Sequence, residues 1–172
     1  MAKNKFLEEG AFHQGIKNRL NNNIPDVSFC TTEFDVDSGT TGTTLANVTG
    51  MVTDTLEPGT YTFQIHLDCL STANSGLKVA LKFGTASMLT SIAAVSRAAT
   101  ASGLGVARAT TATDAASIQA STAAIINCVI EGTLVVAVAG TLQLQAAQNA
   151  AHADNTTIYT SSFMKFQRVA TN

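Results

Sequence analysis

The ten residues YTFQIHLDCL, 61–70, limit the fold of this chain more than any other stretch. Tyr61, Phe63, Ile65 and Leu67 alternate with Thr62, Gln64, His66 and Asp68. A period of two places all the apolar side chains on one face only when the backbone is extended, so this is a strand with one side in a core. LKVALKFG repeats the pattern, with Leu77, Val79, Leu81 and Phe83 expected inward and Lys78 and Lys82 outward. A Pro-Gly step in TLEPGTY precedes the first run and the polar TANSG separates the two. That punctuation predicts an antiparallel hairpin.

The same period persists to the end of the chain. AAIINCVI and TLVVAV are nearly continuous apolar runs, which implies cover on both faces, one by a core and the other by something else. Glu131-Gly132 between them suits a tight turn. In TLQLQAA, Leu142, Leu144 and Ala146 fall on one face, with Gln143, Gln145 and Ala147 on the other. TTIYT and SFMKFQRV follow, with Met164 and Phe166 expected inward and Lys165 and Gln167 outward. No helical period interrupts these segments. Roughly eight short strands, punctuated every ten residues or so, predict an all-β antiparallel β-sandwich, with a jelly roll as the first choice of topology.

Two regions differ from this pattern. From 84 to 122 the chain is nearly all Ala, Ser, Thr and Gly, with only Arg97, Arg108 and Asp114 charged. A solvated linker can have that make-up, but SMLTSIAAVS carries enough β-branched and apolar residues to predict at least one strand, packed closely, with a subunit interface as a natural setting. Residues 1–25 form the second region. Lys3, Lys5, Lys17 and Arg19 accompany Phe6, Leu7, Phe12, Ile16 and Leu20 at spacings that only partly fit a helix, before Asn21-Asn22-Asn23 and Pro25. The expected organisation is an extended N-terminal arm, residues 1–25, and one domain, residues 26–172.

Composition bears on partners. A chain of 172 residues can bury one core without a covalent staple. Only 13% of residues are charged while 45% are hydrophobic, and typical soluble domains carry about 25% charge. So little charge leaves much surface to be covered by other protein, as in an oligomer or an assembled particle. The net charge of -2 provides no basic field for nucleic acid or an anionic membrane, so neither is expected as a partner. Cys30, Cys69 and Cys128 are odd in number and widely spaced, which reads as buried reduced thiols. Glu8-Glu9 follows Met1 to Leu7 where a signal peptide would continue apolar, and Glu131 and Gly132 break the most apolar stretch, so synthesis in a cytoplasm is expected.

Chemistry is sparse. His66 and Asp68 share a strand face at a spacing that could orient an imidazole, but no G-x-S-x-G elbow offers a nucleophile. His152 and Asp154 occupy the polar loop NAAHADN without further ligands at a metal-site spacing. DVDSG opens like a calcium loop, yet Thr40 and Ala46 stand where an EF-hand needs Gly and Glu. GLG at 103–105 neither follows a strand nor opens a helix, as a dinucleotide fingerprint must. The expectation is a protein that is not an enzyme, with no cofactor and no metal.

Taken in order, TLANVTGMVTDTLEPGTYTFQIHL, GLKVALKFGTAS, IEGTLVVAVAGTLQLQAAQN and SSFMKFQRV resemble the jelly-roll domain of tailed-phage virion proteins, including capsid cement or decoration proteins and fibre heads. That domain is similar in layout to the trimeric tumour-necrosis-factor and complement-C1q-like fold. The resemblance spans about residues 41–170, and Ser161 stands where a Gly is common before the last strand. It implies a virion protein of the capsid surface, a homotrimer bound to the major capsid protein. The arm, through Phe6, Leu7, Phe12, Ile16 and Arg19, is expected to clamp the capsid, and Leu142, Leu144, Tyr159 and Phe163 to lie at the trimer interface. The alternative is a fibre or tail-tip head that binds a host receptor through its end loops, although residues 1–25 include no stalk or heptads. A polysaccharide-cleaving virion enzyme would need a carboxylate pair that no segment displays.

Overall fold

The computed structural model describes residues 25–36, 42–84, 88–100, 103–109, 115–121 and 125–171. Twelve strands lie within them: β1 Asp26–Phe29, β2 Phe34–Val36, β3 Ala46–Val52, β4 Gly59–Leu70, β5 Leu77–Phe83, β6 Leu89–Thr100, β7 Gly103–Ala109, β8 Ala115–Ser121, β9 Ile125–Val136, β10 Leu142–Ala147, β11 Thr156–Ile158 and β12 Phe163–Ala170. The main path of the larger, eight-stranded sheet runs β1-β12-β4-β9-β6-β7, with β11 joining β4 and β2 joining β11. The smaller sheet runs β3-β10-β5-β8. Every described pairing is antiparallel. The protein is an antiparallel β-sandwich. The expected arm lies outside the described residues.

Alternation accounts for the core. Tyr61, Phe63, Ile65 and Leu67 of β4 are buried, as are Leu77, Val79, Leu81 and Phe83 of β5, while Lys82 is exposed. Met164 and Phe166 of β12 close the same core, and the Phe166 ring stacks on Phe63 with centroids 5.5 Å apart. Each such side chain removed from water contributes about 1.5–3 kcal/mol.

β4 and β5 do not form the expected hairpin. β4 pairs with β12 and β9, whereas β5 pairs with β10 and β8 in the other sheet. The connection at 71–76 is a corner. Thr72 and Ser75 exchange bonds between each backbone N–H and the other's hydroxyl, and Gly76 turns the chain at φ 61°. A left-handed residue there is easy for glycine and costly for others. Thr156 Oγ1 then donates to Gly76 O at 3.0 Å and ties the corner to β11.

Glu131-Gly132 is not a turn either. β9 runs through it unbroken, pairing with β4 on one side and β6 on the other. Gly132 faces Phe63 across the ladder, and a Cβ built on it would approach Phe63 Cε1 to 2.9 Å and Ala93 O to 2.2 Å. The glycine exists for close approach, not for a bend. From 84 to 122 the chain supplies β6, β7 and β8, in keeping with the expectation of at least one strand there. β6 and β7 extend the larger sheet beyond β9.

Candidate assembly face

The two faces of the larger sheet differ in kind. Its inner face is the core, and its outer face is laid out by strand register. Phe29, Phe163, His66, Val129 and Arg97 form one row across β1, β12, β4, β9 and β6. Val27, Lys165, Gln64, Glu131 and Val95 form the next.

The first row is aromatic at its β1 end. The Phe163 ring lies 6.3 Å from Phe29 and 5.5 Å from His66. Phe29 is 55% exposed and Val27 42%. Val27 and Phe29 lie two apart on β1 and so share this face, with Phe163 opposite Phe29. Asn127 Nδ2 lies 3.0 Å from His66 Nε2. Asp68 does not orient His66. Its carboxylate accepts from Ser161 Oγ at 2.5 Å, and its backbone N–H donates to Ser162 Oγ at 3.0 Å.

The second row is polar at its centre. Glu131 Oε1 accepts from Gln64 Nε2 at 3.0 Å, and Oε2 accepts from Arg97 Nη1 at 2.8 Å. These bonds, Arg97 first and Gln64 second, hold the Glu131 carboxyl below the usual carboxylate range. An open depression of about 300 Å³ lies beside it, edged by Thr62, Gln64, Lys165 and Gln167. Lys165 makes no ion pair among the described residues.

The residues expected at an interface separate into three groups. Leu142 and Leu144 are 0% exposed in the chain's own core, so they have no surface to offer a partner. Their alternation indicated a buried face, and the sandwich itself consumes it. Phe163 is on the outer face, and Tyr159 sits half-buried in the turn before β12, its N–H bonded to Asp68 O. Phe6, Leu7, Phe12, Ile16 and Arg19 lie outside the described residues. Lys165 was expected outward and Glu131 in a turn, but neither they nor Phe29 and Val27 were expected at an interface. The available signal was Glu131 itself, the one charge within the apolar run from Ala123 to Val138.

The polar loop at 148–154 is held by its own side chains. His152 Nδ1 lies 3.2 Å from Asp154 Oδ2 and accepts from Asp154 N at 3.1 Å. The buried Gln148 side chain holds this loop by donating to Asp154 O and accepting from His152 N. Among the described residues no three metal-binding side chains gather, and no helix is long and apolar enough to cross a membrane. All three cysteines are free and buried, and burial pushes the thiols of Cys69 and Cys128 up to about 12. At neutral pH both are protonated and poor nucleophiles. Comparison of the chain with protein-family models and with curated proteins finds no match.

Proposed function

We propose that this protein is a structural component of a bacteriophage virion, a capsid cement or decoration protein that binds and stabilises the shell as a homotrimer. The observation that carries the reading is the outer face of the larger sheet, where Phe29 and Val27 stand exposed beside Phe163. Apolar area covered there contributes about 25 cal/mol per Å², and symmetric repetition over a shell multiplies each contact. The jelly-roll topology is supported by the strand order. With β2, β6, β7 and β11 set aside, two four-stranded sets remain, β1-β12-β4-β9 and β3-β10-β5-β8. Successive strands of those sets cross from one to the other except between β5 and β8, as a double-sheet wrap of eight strands allows.

The proposed role is mechanical. Three copies meet through their larger sheets, and the trimer sits where capsid subunits adjoin. The test is addition of the purified protein to shells that lack it. Saturable binding with raised thermal resistance of the shells is expected. Absence of binding at micromolar protein would contradict the capsid role.

A further inference from the structure

The Glu131 carboxylate is only partly used within its own chain. Each oxygen accepts one hydrogen bond, from Gln64 and from Arg97, whereas an ionised carboxylate offers about four acceptor positions. Glu131 and Arg97 are both about half exposed. Lys165 lies on the same face, separated from Glu131 by Gln64 in the register, and has no ion pair among the described residues. One face therefore carries a free-reaching cation and a carboxylate with spare acceptor capacity, flanked by apolar Val27 and Phe29 and by an open depression. Around a three-fold axis the cation of one copy can meet the carboxylate of the next, head to tail.

We propose that Lys165 of one copy docks in the depression of the next and donates to its Glu131, so that these pairs fix the register of the assembly. This rests on the homotrimeric reading above. Phe29, Phe163 and Val27 supply apolar contact that tolerates sliding, and the Lys165 to Glu131 pair selects one rotation. Arg97 and Gln64 hold the carboxylate in place to receive it.

A double-mutant cycle in the full-length protein tests this, using K165M, E131Q and the double variant. The readouts are the dissociation constant of the assembly from sedimentation, its dependence on salt, and the unfolding temperature of each variant as a control on folding. Each single change is expected to weaken assembly about tenfold or more. The double variant should be no weaker than the weaker single one, because both changes break the same contact. K165M should also flatten the salt dependence seen in the wild type. Wild-type strength in the single variants, or strictly additive losses, would overturn the pair and leave the trimer standing. A wild-type chain that stays monomeric would remove the trimeric reading and this inference together.

Discussion

Asp26 shows how burial shapes a single residue in this fold. Its carboxylate lies where β1 meets the end of β3, and Oδ2 accepts from Asp54 N at 2.8 Å. Burial raises its pKa above the ordinary 3.8, and the nearby charge of Asp54 raises it further against the lowering effect of that hydrogen bond. A raised carboxyl pKa means the folded state holds its proton more firmly than the unfolded state. Stability from this group is therefore fully present below 3.8 and is lost as pH rises through the folded value. Asn keeps an oxygen for Asp54 N and cannot ionise. D26N is expected to raise the unfolding temperature at pH 7 by about a degree or two, with the gain disappearing at pH 3. Thermal unfolding followed by circular dichroism at both pH values checks this, and a loss of stability at pH 7 would mean that the charge is needed there. Glu131 has the opposite sign: its depressed pKa favours the folded state above 4.5 and that contribution fades as pH falls, weakened by screening at an exposed site.

Among elements, β3 depends on a side chain from its neighbour. Between β10 and β3 the register jumps from Gln143 opposite Val52 to Gln145 opposite Asn47, so β3 bulges by several residues around Gly50 at φ 83°. The Gln143 amide fills the bulge by donating to Val48 O and Met51 O, both at 3.0 Å. Replacing Gln143 with Ala would leave those carbonyls without these partners, at about 1–3 kcal/mol. Urea unfolding of Q143A should show a lower midpoint with an unchanged slope, and an unchanged midpoint would mean water substitutes for the amide.

The elements also show what sequence discloses. The faces of β4, β5 and β12 were legible because alternation is local, and Tyr61, Leu81 and Met164 are buried as expected. Partners were not legible. TANSG reads equally well as a hairpin loop or as a corner between sheets, and contacts with β10 and β11 decide the matter. Gly132 read as a turn because a glycine admitting Phe63 looks the same in sequence as one that bends. The assembly face was the least legible feature. Phe29, Phe163 and His66 are distant in sequence and become neighbours only through the register of β1, β12 and β4.

At the scale of the whole molecule, the sandwich satisfies its inner faces and leaves one outer face apolar at its edge and charged at its centre. The low charge of the chain has the same consequence: a surface suited to contact with other protein. The trimer proposed above rests on these observations, and the proposed Lys165 to Glu131 contact rests in turn on the trimer. The most direct measurement is the mass of the purified protein in solution, by sedimentation equilibrium across a range of concentrations. A particle of three chains of 17.8 kDa each is predicted. A single 17.8 kDa species at the highest concentrations examined would contradict the account.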